Sequence, residues 1–286
     1  MPNVLEGVRV LSLAINLPGP LAASRLAALG ATVIKVEPPS GDPLAAAAPG
    51  WYAELTSGQE IVTLDLKLDA DRAELDDLLQ AADILLTSNR PSALRRLGLL
   101  DANPALHPQL SHVEIVGHDG EREDLPGHDL NFQASHGTLD PPHMPLVPVV
   151  DLLGAERAVQ AALAAVLSTQ RTGRGVHERV VLEQAAMDAG APARNGLTGP
   201  GTPLGGALPT YAVYPSADGH VAVGAIEGAF HARLLSLLGV GNTHAEIAAA
   251  LASKTGLQWE QWAAAHDIPL TAVRTHGRVT ATPANR

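Results

Sequence analysis

Short apolar runs typical of β-strands alternate with helical patterns through residues 8–116. Val8–Ala14 is the first such run, Leu21–Leu29 has the apolar spacing of a helix, and Ala31–Val36 is a second run. A strand, a helix and another strand in this order predict parallel strands joined by a right-handed crossover. The alternation continues, with further strands predicted over 61–66, 84–86 and 112–116. The sequence therefore predicts a doubly wound α/β fold with a mostly parallel, Rossmann-like sheet.

A second, smaller α+β domain is predicted after a linker. Residues 191–206 are rich in Gly, Pro and Ala, which indicates a domain boundary. Beyond them, the runs Tyr211–Tyr214 and His220–Gly224 flank a short turn and predict a hairpin. We therefore expect a large α/β domain over 1–190, a linker over 191–206 and a small domain over 207–286.

Composition and charge limit the classes of function. The chain has 286 residues, of which 46% are hydrophobic and 17% charged, as in a globular protein with a sizeable core. The net charge is -11 and no run of Lys or Arg forms a basic stripe, so nucleic acid is not an expected partner. There is no cysteine, which excludes thiol catalysis and disulfides. No signal-peptide or membrane-span pattern is present, so we expect a cytoplasmic protein.

Three common kinds of site lack their motifs. Glu37 ends the second strand, where a dinucleotide-binding fold places an acid against the ribose. However, the turn at 16–20 reads Asn-Leu-Pro-Gly-Pro, and its two prolines remove amide donors that a pyrophosphate would need. The His-Asp pairs at 118–119 and 128–129 lack the spacing of a metal motif, so no metal is expected. A GxSxG serine motif is also missing.

Residues 118–150 form a long stretch rich in Gly, Pro, His and Asp, which is typical of a functional segment but also fits a surface loop. Within it, Pro126–Phe132 reads PGHDLNF. With Leu64–Lys67 (LDLK), Asn89–Pro91 (NRP) and the helix that begins near Asp151, this stretch resembles the family III CoA-transferase superfamily. GHDLNF is similar to the GHD-x-N-aromatic motif of its α-methylacyl-CoA racemase branch. Transferase members more often have another residue at the histidine position.

The resemblance implies that the chain acts on an acyl-CoA thioester. A racemase removes the α-proton from one face of a carbon and returns one to the other face, so two bases must flank that carbon. Histidine suits this task through its near-neutral pKa, and a carboxylate can be tuned towards it. The resemblance implies that His128 serves one face and Asp151 the other, while Glu227 supports His128 or relays protons. Amides at the start of the Asp151 helix could stabilise the enolate oxygen.

Three hypotheses of function follow from this resemblance. The leading one is a racemase or epimerase of 2-methylacyl-CoA, because His128 matches that branch. The alternative is a CoA-transferase that moves CoA between carboxylic acids, since the residue matching Asp151 is the nucleophile in transferase members. The third is a non-catalytic relative that binds acyl-CoA, because the chain ends soon after Val273, where the resemblance implies a further segment. Read without the resemblance, His128-Asp129 fits a loop turn and Asp151 an ordinary helix cap.

The resemblance also implies where coenzyme A lies. No cofactor is expected to be bound permanently, since CoA arrives as part of the substrate. The expected contacts are Leu64, Asp65, Leu66, Lys67, Asn89, Arg90, Arg96, Gly127, Asp129, Leu130, Asn131 and Phe132. Arginine suits the phosphates because its guanidinium binds them in a bidentate way. The resemblance further implies an intertwined homodimer, whereas the identity of the acyl group is not encoded in any recognisable motif.

Overall fold

The computed structural model describes residues 3–100 and 107–274, and the chain divides into two compact units, 1–190 and 191–286. The first unit contains a six-stranded parallel sheet. Its strands are β1 (Arg9–Ser12), β2 (Thr32–Glu37), β3 (Glu60–Thr63), β4 (Ile84–Thr87), β5 (Ser111–Val116) and β6 (His177–Val181). Their order across the sheet is β3-β2-β1-β4-β5-β6. Strands β1 to β3 are added towards one edge of the sheet and β4 to β6 towards the other, so the strand order reverses between β1 and β4. The predicted doubly wound α/β fold is confirmed.

Helices connect these strands and cover the sheet. They are α1 (Pro18–Ala28), α2 (Pro43–Ala47), α3 (Pro49–Leu55), α4 (Asp69–Ala81), α5 (Pro91–Arg96), α6 (Asp129–His136), α7 (Val149–Thr172) and α8 (Leu182–Ala189). Strand β4 is buried along its whole length, as expected for a parallel strand covered on both faces. Aliphatic side chains and alanines form the core on each side of the sheet.

Helix α1 begins at Pro18, three residues before the predicted start. Proline fits the first turn of a helix because its fixed φ is helical and its missing N–H is not needed there. Gly19 allows the close approach of this turn to the end of β1, since a Cβ at this position would lie 2.3 Å from the Cβ of Ala14. The turn at 16–20 is therefore a packing junction between strand and helix.

Helix α7 is 24 residues long and begins at Val149, so Asp151 lies inside its first turn and not just before the helix. One side of α7 is buried and consists mainly of small residues, including Gly154, Ala155, Ala158 and Ala162. Small side chains let α7 approach its neighbours closely: a Cβ at Gly154 would lie 2.3 Å from the Cδ2 of Leu182 on α8. This packing fixes the first turn of α7 in the body of the unit.

The segment 118–150 is less irregular than its composition suggests. It contains a 3-10 turn at Gly120–Arg122 and the eight-residue helix α6. Helices α2, α3 and α8 were likewise not predicted from the sequence. All four helices have eight residues or fewer, so an apolar period can hardly be read from them.

The second unit is built on an antiparallel sheet in the order β7 (Tyr211–Pro215), β8 (His220–Gly224), β9 (Leu270–Ala272). Helices α10 (Gly228–Leu238), α11 (His244–Leu251) and α12 (Gly256–His266) share a core with this sheet. The predicted hairpin is present. Residues 191–206, expected to be a linker, belong to this unit and contain the short helix α9 (Ala191–Arg194) and the start of a π-helical turn at Pro203–Ala207. In the described parts of both units, no helix combines the length and apolar composition needed to cross a membrane.

Candidate functional site

A cavity of about 320 Å³ lies at the carboxyl ends of β1, β4 and β5. Its lining includes Asn16, Ser88, Asn89, Gly117, His128 and Asp151. The strand order reverses between β1 and β4, and open α/β sheets bind ligands in the crevice at such a switch point. The loops after β1 and β4 are tied together, because the Ile15 N–H donates to Ser88 Oγ (2.9 Å) and the Ser88 hydroxyl donates to Ile15 O (3.0 Å).

A second cavity, of about 270 Å³, adjoins the first. Its lining includes Leu64, Asp65, Leu66 and Lys67, four of the residues expected to contact CoA. Asn89 lines both cavities. Its Oδ1 is buried and has no hydrogen-bond partner in the described structure, which is uncommon for a buried polar atom. Together, the two cavities form a site that could take an extended molecule.

His128 and Asp151 both line the first cavity, so the structure brings together the two residues predicted to transfer protons. His128 is the N-cap residue of α6 and is exposed. Its backbone N–H donates to Oδ1 of Asn131 (3.1 Å), a contact that fixes the start of α6. The imidazole is therefore carried on a helix end at the wall of the cavity.

The carboxyl group of Asp151 is unusual in its electrostatic environment. Burial raises the pKa of Asp151 to about 7, and the neighbouring negative charge of Asp129 adds to the rise. Within the described residues, neither Asp129 nor Asp151 forms an ion pair with a lysine or an arginine. Asp151 can thus exchange a proton close to neutral pH, and its ionised form is poorly stabilised. Both properties suit a base or a nucleophile.

Asp129 is buried and holds the start of α7. Its Oδ1 accepts hydrogen bonds from the backbone N–H of Val150 (2.8 Å) and of Asp151 (3.2 Å). Its Oδ2 accepts from Nε2 of Gln133 (2.5 Å), which also donates to Val147 O (3.1 Å). Asp129 was predicted to contact CoA, whereas Gln133 was not predicted to belong to the site. The spacing of four residues between the two on one helix is the signal that could have suggested their pairing.

The amides at the start of α7 are all engaged within the protein. Besides the two that Asp129 accepts, the N–H of Val149 donates to Val147 O (2.9 Å) and that of Leu152 to Pro148 O (3.1 Å). The expectation that these amides stabilise an enolate oxygen is therefore wrong for this arrangement. Asp129 occupies the donors that a substrate oxygen would need.

The other predicted CoA residues either line the first cavity, are exposed outside both cavity linings, or are buried. Arg90 and Gly127 line the first cavity, whereas Arg96 is exposed and lies outside the lining of both. Leu130 and Asn131 are exposed on α6. Phe132 is buried, and its ring explains two glycines: a Cβ at Gly127 would lie 2.8 Å from the ring, and one at Gly117 would lie 3.1 Å from it. Glycine at both positions lets the cavity wall pack on the ring.

Glu227, the third predicted catalytic residue, belongs to the second unit. It is the exposed N-cap residue of α10, with an extended backbone. Its part in proton transfer stays a prediction from the resemblance.

Ion pairs that the sequence did not reveal brace the outer wall of the first cavity. Glu123 lines this cavity and pairs with Arg95 (2.7 Å) and Arg179 (2.9 Å). Glu183, at the start of α8, pairs with Arg122 and His118, and Arg122 holds the pKa of this carboxyl below its ordinary value. These contacts connect residues 118–123 to β6 and α8, and thereby fix the wall.

At the end of β2, the acid that a dinucleotide-binding fold would use is already engaged. Glu37 accepts a hydrogen bond from the hydroxyl of Tyr52 and lies 3.3 Å from Nζ of Lys35. Lys35 is completely buried and also donates to Asp42 Oδ2 (2.9 Å) and Ala14 O (2.9 Å). Asp42 in turn accepts from the N–H of Asn16 (3.1 Å), so this cluster holds the loop after β1. In the described chain, no group of three or more His, Asp or Glu side chains is placed to bind a metal.

Comparisons with known proteins agree with this architecture. A parallel α/β sheet with a divided cavity at its switch point defines a ligand-binding α/β protein. The family model of CoA-transferase family III matches residues 5–286, and the chain belongs to that family. The predicted membership of the superfamily is thus confirmed.

Individual relatives point in the same direction. The chain is 31% identical over 274 residues to the succinate–glutarate CoA-transferase of Agrobacterium fabrum, covering 84% of this chain and 68% of that protein. It is 27% identical to a probable fatty acyl-CoA transferase of Mycobacterium tuberculosis, covering 98% and 84% of the two chains. A crystal structure of a hypothetical protein from Mycobacterium tuberculosis matches with a TM-score of 0.81 at 27% identity, over 97% of this chain and 86% of that one. Both named relatives are transferases, which favours the transfer hypothesis over the racemase hypothesis.

Proposed function

We propose that this protein transfers coenzyme A between carboxylic acids, with Asp151 as the nucleophile. The observation that carries the proposal is the position of Asp151 on the wall of a cavity, without an ion-pair partner among the described residues. A structural aspartate is normally paired or well hydrated, because an unpaired carboxylate in a poorly solvated place is costly. A nucleophile is the exception, since its reactivity depends on being poorly stabilised.

The transfer proceeds through four acyl exchanges. An ionised oxygen of Asp151 attacks the thioester carbonyl, the C–S bond breaks, and CoA leaves as thiolate from a mixed anhydride. The thiolate then attacks Cγ of Asp151 and releases the donor acid as its carboxylate, which leaves an aspartyl-CoA thioester. The acceptor carboxylate attacks Cγ, releases the thiolate again and forms a second anhydride. Attack of the thiolate on the acceptor carbonyl gives the new acyl-CoA and frees Asp151 as a carboxylate.

The two cavities suggest how CoA is held during these steps. We propose that the CoA chain passes Asn89, whose free Oδ1 can accept a hydrogen bond from an amide of the pantetheine arm. The cavity lined by Leu64–Lys67 then takes the nucleotide end, where Lys67 meets a phosphate. The thioester lies in the first cavity beside Asp151. Arg96 is exposed and outside both linings, so its predicted phosphate contact would require the ligand to reach beyond the cavities.

The experiment is to trap the acyl-enzyme. The protein is incubated with succinyl-CoA and a panel of acceptor acids, and treated with hydroxylamine or borohydride. A modified Asp151 peptide in mass spectrometry is the expected result. Asp151→Asn should abolish both trapping and transfer, with a loss of about a thousandfold or more. Asp140→Asn is the matched control, because this side chain is 90% exposed and should not matter. Full transfer by Asp151→Asn would overturn the proposal.

A second candidate, racemisation of a 2-methylacyl-CoA, is favoured by one observation: His128 shares the cavity with Asp151. Incubation of a single 2-methylacyl-CoA epimer in D₂O should then introduce deuterium at the α-carbon, and His128→Ala should stop the exchange. If α-exchange is missing while transfer survives in His128→Ala, the racemase candidate is excluded.

The resemblance also leads us to propose that the protein works as a homodimer. Sedimentation of the 29.6 kDa chain would test this, since a species of about one chain mass across the accessible concentration range contradicts it.

A further inference from the structure

We infer that Asp129 is a positioning residue for Asp151. Its carboxylate fixes the first turn of α7, and its negative charge destabilises the ionised form of Asp151 relative to the acylated form. This inference rests on the proposed nucleophilic role of Asp151. It is carried by the contacts of the Asp129 carboxylate, which accepts three hydrogen bonds from residues of both helices.

The first part of the role is geometric. Asp151 lies in the first helical turn, where the chain has just left an irregular loop and the backbone is least constrained. Asp129 accepts a hydrogen bond from the N–H of Asp151 itself. The side chain of Gln133 donates both to the Asp129 carboxylate and to Val147 O. Side chains of α6 therefore form hydrogen bonds with the backbone both before and after the first residue of α7.

The second part is electrostatic. A carboxylate at a helix start is normally stabilised by the free amides there. Here Asp129 takes two of those amides and adds a like charge next to Asp151. Conversion of Asp151 to an anhydride or thioester removes its charge and with it the repulsion. Asp129 thus favours the acylated forms relative to the free carboxylate.

Other charged groups line the cavity or lie on helices that pack against α7, and each of them has its own partner or is exposed. Those that share the cavity are Arg90, Glu123 and His128. Glu123 is paired with Arg95 and Arg179. From α8, Glu183 is paired with Arg122, and from α1, Arg25 is paired with Glu156. Asp129 is therefore the charged neighbour whose contacts reach the backbone of Asp151 directly.

Two substitutions separate the two parts of the role. Asp129→Asn keeps an oxygen that can accept from α7 but removes the charge. Gln133→Leu keeps the charge but removes the side chain that holds it. A like charge raises the pKa of a carboxyl group, so its removal must lower it. Because the nucleophile is the ionised form, Asp129→Asn should move the acid limb of kcat/KM to lower pH by about one unit. Gln133→Leu should leave the acid limb at the same pH and lower the pH-independent value of kcat/KM about tenfold.

The decisive measurement does not need turnover. Carbon-13 NMR of Asp-labelled protein, with the Asp151 signal assigned by Asp151→Asn, follows the titration of this carboxyl directly. The expected result is a midpoint about one unit lower in Asp129→Asn than in the wild type. Asp140→Asn is the control and should show no shift. If wild-type protein shows no transfer, the proposed function fails while this titration still decides the role of Asp129.

An unchanged midpoint in a folded Asp129→Asn protein would overturn the electrostatic part. If Asp129→Asn does not fold, as judged by circular dichroism, Gln133→Leu decides the geometric part. An unchanged plateau in that variant would then overturn it.

Discussion

Two pairs of carboxyl groups lie at the same end of the parallel sheet, and they differ in their counter-charge. Glu37 and Asp42, after β2, surround the buried ammonium group of Lys35, which is within 3.3 Å of one and 2.9 Å of the other. Asp129, whose Oδ1 accepts two backbone N–H groups of α7, and Asp151 lie beside the end of β5 and have no ion-pair partner among the described residues. The single positive charge of Lys35 thus compensates part of the charge of the first pair, which supports the loop after β1. The second pair has no such counter-charge among the described residues, and burial together with the charge of Asp129 raises the pKa of Asp151, which lines a cavity.

The position of an acid in the fold does not by itself identify a functional carboxylate. Glu37 occupies the place where a related fold would bind a ribose, yet Tyr52 and Lys35 already satisfy it. What distinguishes Asp151 is the lack of a compensating partner.

Removal of the cation from the first pair should have the largest effect. Lys35→Met leaves Asp42 and Glu37 buried without a cation, and breaking a buried ion pair costs about 3–5 kcal/mol of the free energy of unfolding. Urea unfolding measures the loss. Lys67→Met is the control, because Lys67 is exposed and should change stability by less than about 0.5 kcal/mol. Equal stability of the two variants would refute the idea that the charge of Lys35 stabilises the pair.

Replacement of Asp151 by Asn, which removes one charge from the second pair, should stabilise the protein at pH values above about 4. The pKa of Asp151 is raised from 3.8 to about 7, so the folded state binds this proton more tightly than the unfolded state does. The wild type therefore loses stability as pH rises from about 4 to about 7 and no further above that. Asn cannot ionise, so the advantage of Asp151→Asn should grow through this window to roughly 1–2 kcal/mol, reduced by solvent in the cavity.

Urea unfolding of both proteins at pH 5, 6, 7 and 8 checks this dependence. Asp140→Asn, which alters an exposed carboxyl, should show a difference that does not vary with pH. A constant difference for Asp151→Asn over the same range would mean that Asp151 is not destabilised when ionised.

A smaller effect is expected when the first pair loses its hydrogen bond from tyrosine. The hydroxyl of Tyr52 donates to Glu37, and burial together with this contact raises the pKa of Tyr52. Tyr52→Phe should cost about 1 kcal/mol, because the hydrogen bond is lost but Lys35 remains. Hydrogen exchange of the β2 amides measures this local change. Tyr211→Phe in the second unit should leave these rates as they are, and a Tyr52→Phe protein that also leaves them unchanged would contradict the prediction.

The smallest effect on stability is expected at Asn89, whose side-chain oxygen has no partner to lose. Asn89→Ala should change the free energy of unfolding by less than about 0.5 kcal/mol, yet weaken the binding of coenzyme A about threefold to tenfold. Calorimetric titration with coenzyme A measures the second quantity. Gln59→Ala is a matched control, since Gln59 also has an unpartnered buried oxygen but lies outside both cavity linings. Equal losses of affinity in both variants would exclude a specific contact.

Elements with a long regular period could be predicted well from the sequence. The apolar spacing of Leu21–Leu29 predicts a helix, and α1 contains all but the last of these residues. By contrast, α8 begins at Leu182, directly after the last residue of β6, so no turn residue marks the change. Helix α6 is hidden because it is short and lies in a segment rich in Gly, Pro and Asp.

The candidate site was only partly predictable. His128 and Asp151 were placed together by the resemblance, and the cavity does join them. The capping of α7 by Asp129 spans 21 residues of sequence, through a loop with no periodic pattern. No local propensity signals such a contact, so the sequence predicted a CoA contact for Asp129 and free amides at the start of α7. Both the role of the Asp129 carboxylate and the engagement of the α7 amides depend on tertiary hydrogen bonds.

The burial of Lys35 also limits which side chains an activated acyl group can reach. Thioesters and anhydrides react with free amines and thiols, so a protein that holds them risks modifying itself. This chain contains no cysteine and three lysines. Nζ of Lys35 is sealed in the core, and that of Lys254 lies 4.4 Å above the ring of Trp259 in the second unit. Lys67 is the lysine that lines a cavity, so accidental self-acylation during turnover should concentrate on this one side chain.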